Sequence, residues 1–242
     1  RIETYEMPAW SRVSESAAIV SPFPQDLIVA ALGQSPSTPE GGIEAEVVRF
    51  RTLPELQAAP LEGLEGKIIF IDEPMARTQD GSGYGAAVAK RSQGAVEGAK
   101  RGAAAVLIRS AGTDSHRNPH TGGMVSGGAA LAPLPAAALL NKAEGKLAGE
   151  GERVDGAGSG RIDIQTTWTE GVQSGNVIGE IPGKTDELVV IGGHLDSWDN
   201  GVGAIDDGAG IAITTAAAKL VDELPGKPTR TIRLVMWGAE EV

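Results

Sequence analysis

A chain of 242 residues, 41% hydrophobic and 22% charged, can bury one large core or two small ones. Its 21 basic and 32 acidic side chains give a formal charge of −11, which argues against nucleic acid or an anionic membrane surface as partner, since both need a basic face. With no cysteine, disulfides, thiolate nucleophiles and cysteine-ligated metals are excluded, and no apolar run approaches the roughly 18 residues of a spanning helix.

The first segment, Arg1 to Met7, alternates like a strand and is predicted to end at Pro8. Short strands punctuated by Pro22 and Pro24 follow over 17–32, and Gly41-Gly42 marks a turn before a strand at 43–51. Residues 67–71 are a short apolar run of the buried-strand type. A Gly/Ser-rich turn over 80–85 leads into a predicted amphipathic helix at 86–101, and 103–108 is a second buried strand. Strand, helix and strand at these lengths form a βαβ unit. The glycine, serine, asparagine and proline content of 111–130 predicts a loop carrying His116 and His120. A strand is predicted at 133–137, a helix at 138–149, a glycine-rich hairpin or linker at 151–160, and a strand with one wet face at 162–168.

Past Gly171 the character changes. Strands are predicted at 176–181, 188–193 and 231–237, with a turn at Pro182-Gly183 and an alanine-rich helix over 207–221. Continuously apolar strands joined by a helix imply an α/β sheet, mostly parallel and covered by helices on both faces. The boundary between the two regions falls near residue 170. Neither end reads as a domain terminus: the chain opens inside a strand with no charged-then-apolar leader, and it stops directly after a Glu-Glu pair.

Three clusters carry chemistry: Gly193-His194-Leu-Asp196-Ser-Trp198-Asp199, then Asp206-Asp207-Gly208, then Gly238-Ala-Glu240-Glu241. Singly each has a plain reading, as a structural histidine, a turn or helix cap, and a solvated acidic face. Jointly they sit just past the carboxyl ends of predicted strands or at the start of the intervening helix. Parallel strands 188–193 and 231–237 would open on one crevice, where α/β sheets bind ligands. Imidazole nitrogen with carboxylate oxygens is the donor set zinc takes when a position is left for water. Asp206 can be shared between two metals, as in two-metal aminopeptidases. Glu240 and Glu241, as neighbours, are expected to divide the work, one as ligand and one as general base. Asp196, two residues past His194, can hold the imidazole in register. Trp198 is a candidate wall of the site on the substrate side. His116 and His120 are spaced like a helical pair, but Asn118 and Pro119 oppose a helix; the functional version is that their loop overhangs the cleft and His120 touches substrate.

These clusters resemble the co-catalytic zinc aminopeptidase family, in its carboxypeptidase Q-like branch. The likeness extends to Gln93-Gly-Ala-Val-Glu97, Leu107-Ile-Arg-Ser110, Pro119-His-Thr-Gly122 and Arg233-Leu-Val-Met-Trp-Gly-Ala-Glu-Glu241. The resemblance implies that His194 ligates one zinc, Asp206 bridges two, Glu241 ligates the second, Glu240 is the general base and Asp196 orients His194. It implies hydrolysis of short peptides and a location outside the cytoplasm, periplasmic or secreted. It divides the chain into a first peptidase strand at 1–11, a β-rich protease-associated-type insert at 12–168, and the N-terminal half of a zinc peptidase domain at 169–242. It also implies a further Asp or Glu on the His194 zinc and a final His on the Glu241 zinc, neither of which occurs in this sequence. Those would come from polypeptide past Val242, from a second chain or from a homo-oligomer, and the chain alone is expected to bind zinc weakly and not to turn over. Two other outcomes stay open: a single-zinc enzyme like the glutaminyl cyclases, and a non-catalytic peptide- or partner-binding fragment.

Overall fold

The computed structural model describes residues 1–113, 118–124, 134–139 and 158–241. It divides into two compact units, one of Arg1–Ala9 with Trp168–Val242 and one of Trp10–Thr167. The sequence-based boundaries lie at 11/12 and 168/169. Two long strands, β1 (Ile2–Ser21) and β8 (Ser159–Ile181), contribute residues to both units.

In the unit Trp10–Thr167, four strands run parallel as neighbours: β4 (Ile43–Phe50), β5 (Ile68–Ile71), β6 (Ala105–Arg109) and β7 (Ala136–Leu139). β3 (Val29–Ala31) closes one side antiparallel to β7, and the start of β8 pairs antiparallel with β4 through Ile43 and Ile162. A short β2 (Gln25–Leu27) pairs with the end of β1. All four residues of β5 and of β7 are buried, which is what strands covered on both faces require. Ile69, Ile71, Val106 and Ile108 pack with Leu53 and Leu56 of α1 (Leu53–Ala58) and Ala95 of α2 (Ser82–Lys100). Two glycines set the approach of α2 to the sheet: a Cβ at Gly94 would lie 2.9 Å from Ile71 Cδ1, and one at Gly98 only 2.6 Å from Val106 Cγ2. The parallel strands with a helix between them are the βαβ arrangement expected from the sequence at 67–108.

Several predicted elements change. β1 passes through Pro8 because an extended backbone tolerates the fixed φ and loses only one donor. Helix α1 was not predicted. It starts at a Thr52 cap whose Oγ1 accepts from the Glu55 N–H at 3.2 Å, and Glu55 returns its carboxylate to the Arg51 N–H. α2 begins at Ser82 rather than 86, because the Asp80 carboxylate accepts from the Ser82 N–H at 3.1 Å and supplies the missing start. The strands predicted at 162–168 and 176–181 are one strand, in which Gly171 takes φ 69° as a local kink rather than a turn. The predicted strand at 133–137 is found as Ala136–Leu139. The helix predicted at 138–149 lies outside the described residues except for Ala138 and Leu139, which belong to β7, and most of the 151–160 linker lies outside them too.

Charge is buried deliberately in this unit. Lys90 of α2 is fully buried and donates from Nζ to the Glu73 main-chain oxygen at 2.8 Å. Burial, reinforced by Arg109 and opposed by Glu73 and Asp72, pushes its ammonium down to about 8.

In the unit of Arg1–Ala9 with Trp168–Val242, β10 (Arg230–Trp237) lies between β8 and β9 (Thr185–His194). It is antiparallel to β8, with Ile232 opposite Ile181, and parallel to β9, with Thr231 opposite Leu188 and Trp237 opposite His194. The start of β1 joins through paired main-chain bonds between Arg1 and Ile178, each 2.8 Å. Helix α3 (Gly208–Asp222) packs on β9 and β10. The apolar run of β9 is exposed all the same, with Leu188, Val189 and Val190 at 42, 40 and 50% exposure. No residue of α3 is buried, and Ile213 and Leu220 are 69 and 65% exposed. The helical cover expected on both sheet faces is thus present only in part among the described residues.

Candidate metal centre

The site begins with strand register. Because β9 and β10 are parallel with His194 beside Trp237, the segments that leave both strands start from the same edge of the sheet. The Leu195 N–H donates to the Trp237 carbonyl at 2.6 Å, so the two segments depart as a pair. Helix α3 then brings its N-terminus, and Asp206 just before it, back to the end of β9.

His194 is buried, 9% exposed, and its ring is fixed from one side. Nδ1 lies 2.9 Å from the Asp196 main-chain oxygen, and since a carbonyl only accepts, Nδ1 carries the hydrogen. Nε2 therefore faces the opposite way, 3.0 Å from Asp206 Oδ1 and 3.9 Å from Glu240 Oε2. The donor atoms of His194, Glu240 and Glu241 all lie within 4.8 Å of one another. A ring nitrogen turned toward carboxylate oxygens at that range must either hold a proton or share a cation with them. Nitrogen and oxygen donors of this kind suit zinc.

Electrostatics point the same way. Burial works against charging His194, but the Asp196 carbonyl and the carboxylates of Asp206, Glu240 and Asp196 outweigh it and raise the imidazole above its usual range. The Glu241 carboxyl is pushed up by burial first and by the nearby negative charge of Asp206 and Glu240 as well, against a hydrogen bond from Trp198 and the pull of His194. Negative charge from Asp206 and Glu240 contributes to both shifts, beside burial at Glu241 and the Asp196 carbonyl at His194.

Asp196 does more than touch the His194 ring. Its carboxylate is 3.4 Å from the His194 ring, and the closer ring contact is its main-chain oxygen at 2.9 Å. The two carboxylate oxygens instead accept main-chain N–H bonds from Glu240, 3.1 Å, and from Glu241, 2.9 Å. One residue after β9 thereby ties down the Glu-Glu pair after β10. Trp198, expected as a wall, hydrogen-bonds to the Glu241 carboxylate. His120 belongs to the unit Trp10–Thr167, where its ring stands edge-on to Tyr84 at 5.5 Å and its N–H donates to Ser110 Oγ at 2.9 Å. His116 lies outside the described residues. The segment Gly81–Gly85 is the cap and first turn of α2.

Sequence reading left Asp207 within a turn or helix cap; its carboxylate accepts from the Gly210 N–H at 3.0 Å, as a cap does, and also from the His194 N–H at 3.1 Å.

The chain is similar to known proteins in both sequence and fold. The family model described as Peptidase family M28 matches residues 176–242. Carboxypeptidase Q of Mus musculus is 38% identical over 99% of this chain and 50% of its own length, and that of Homo sapiens 36% over 99% and 49%. The chain thus spans about half the length of these curated relatives. A crystal structure of the peptidase M28 precursor from Shewanella amazonensis superposes with a TM-score of 0.90 at 46% identity, covering all of this chain and 55% of that one. The zinc aminopeptidase BSAP from Bacillus subtilis shares the fold, with a TM-score of 0.64 at 20% identity over 51% of its chain. Residues 176–242 are thus matched by the model of Peptidase family M28, within a chain that is similar to carboxypeptidase Q over nearly its whole length.

Proposed function

We propose that this chain carries part of the active site of a zinc-dependent exopeptidase acting on short peptides, and that the protein works outside the cytoplasm. The observation that carries the reading is the convergence of His194 Nε2, Asp206, Glu240 and Glu241 at the ends of β9 and β10, with the His194 Nδ1 hydrogen already committed to the Asp196 carbonyl. His194, Asp206 and Glu241 would hold zinc, with Asp206 shared between two ions. When bound, zinc supplies Lewis acidity that makes water a nucleophile near neutral pH and polarises the scissile carbonyl. Glu241, half-buried and hydrogen-bonded by Trp198, is suited to staying in place as a ligand. Glu240 is the freer of the pair, its side chain 60% exposed, and is suited to taking a proton from water and passing it to the leaving amine. Asp196 keeps both glutamates in position through their main-chain N–H groups.

The remaining donors come, in this reading, from polypeptide outside this sequence, either a continuation or a second chain. The exposed apolar positions of β9 and α3 support that, since a parallel apolar strand is stable when both faces are covered. Residues 12–168 act as a protease-associated-type insert. Among the described residues no helix is long and apolar enough to cross a membrane.

Chelation gives the direct test of the function. Hydrolysis of dipeptides and short peptides by the protein should vanish when zinc is removed and return when zinc is restored. Undiminished hydrolysis in the metal-free protein would rule the reading out.

A further inference from the structure

Asp207 has no part in the roles above, yet its carboxylate touches both elements that carry the donors. We propose that Asp207 is a positioning residue which holds the main chain at His194 against the N-terminus of α3, so that the His194 ring and the Asp206 carboxylate meet. The proposal rests on the metal-site reading.

Strand geometry makes such a tether necessary. Along β9, successive N–H groups point to alternate sides, and the Leu195 N–H is taken by Trp237 of β10. The His194 N–H consequently points away from β10, to the edge of β9 that pairs with no strand among the described residues. A buried donor left there without a partner would be costly and would let the end of the strand drift. Asp207 Oδ2 takes it at 3.1 Å. The other oxygen, Oδ1, accepts from Gly210 three residues on, the ordinary bond of a helix N-cap, at 3.0 Å. One carboxylate thus joins the last residue of β9 to the first turn of α3.

The surroundings are shaped for it. A Cβ on Gly193 or on Gly210 would fall on the Asp207 carboxylate, so the absence of side chains at those two positions makes its place. Asp206 itself is 79% exposed at the side chain, and its position opposite His194 Nε2 depends on where its main chain is held. That main chain is fixed by Asp207 and by the Gly208 N–H, which donates to the Gly203 carbonyl at 2.8 Å. Loss of the His194 bond would leave the helix capped but free the ring's backbone.

Serine separates the two jobs, because its hydroxyl caps a helix but cannot also reach a second main-chain donor. In Asp207→Ser the thermal midpoint should stay close to that of the wild type. The His194 amide of the metal-free protein should exchange its hydrogen faster, and zinc affinity should fall by about 10- to 100-fold, the range for groups that orient metal ligands. Wild-type exchange at His194 and wild-type zinc affinity in this variant would reduce Asp207 to a helix cap and overturn the proposal. If the serine variant does not fold, Asp207→Asn takes its place: it also caps, but its one carbonyl oxygen cannot reproduce both bonds, so the same losses are expected and unchanged affinity again overturns the role. A wild-type protein that binds no zinc yet protects the His194 amide would overturn the metal reading instead, which separates the two failures.

Discussion

Glu240→Gln in the zinc-loaded protein is expected to keep its metal and lose peptide hydrolysis by about 10²–10⁴-fold, the contribution of a positioned acid–base group. That loss corresponds to about 2.7–5.5 kcal/mol of barrier. The substitution preserves size and hydrogen-bonding reach but removes the ability to accept and return a proton. The main-chain N–H of residue 240 still donates to Asp196 Oδ1, so the Glu-Glu segment should hold its place. The neighbouring Glu241, with a hydrogen bond from Trp198 and a half-buried position, should continue to bind. Steady-state kinetics together with zinc content measures both halves. Turnover within a few-fold of wild type would take the proton-transfer role away from Glu240.

The second large effect concerns stability in the unit Trp10–Thr167. Arg101 is buried at the end of α2, its side chain only 3% exposed. Nη1 donates to the Glu97 carboxylate at 2.8 Å and to the Glu97 carbonyl at 3.0 Å. Nη2 donates to the carbonyls of Gln57, 2.9 Å, and Ala59, 3.1 Å, which are the last acceptors of α1. Although burial works against it, the hydrogen bonds from Lys100 and Arg101 hold the Glu97 carboxyl below its usual range. Arg101→Met keeps most of the bulk but leaves the largely buried Glu97 carboxylate with Lys100 alone and removes the guanidinium from three carbonyls. Breaking a buried pair by removing one partner is expected to cost roughly 3–5 kcal/mol. Urea denaturation followed by circular dichroism should show it as an earlier midpoint. A change under about 1 kcal/mol would mean that Lys100 and water replace the guanidinium.

Legibility in the sequence followed the strength of local signals. The strands at 188–193 and 231–237 stood out as continuous apolar runs, and the structure has them at Thr185–His194 and Arg230–Trp237. His194, Glu240 and Glu241 stood out because side chains with metal-binding chemistry clustered at predicted strand ends, and the parallel register brings those ends side by side. What failed was finer. Gly171 looked like a break but is a kink inside β8, since one positive φ can be absorbed by a strand paired elsewhere. Thr52 and Glu55 are a helix-start signature that was passed over because only six residues follow. Asp196 was legible only in part, for a different reason. Nearness in sequence to His194 suggested a contact with the ring, and the main-chain oxygen makes one; the two N–H groups its carboxylate accepts lie 44 and 45 residues away and become neighbours only through β9–β10 pairing. The second bond of Asp207 was hidden for the same cause: it reaches the His194 N–H because an edge donor needed a partner, a fact of sheet order rather than of sequence.

The most direct test of the central claim is to count zinc on the intact protein by native mass spectrometry, in the wild type and in His194→Ala. The account predicts bound zinc in the wild type and its loss in the variant, because His194 contributes the one nitrogen donor of the cluster. A wild type that holds no zinc, or a variant that keeps as much as the wild type, would contradict it.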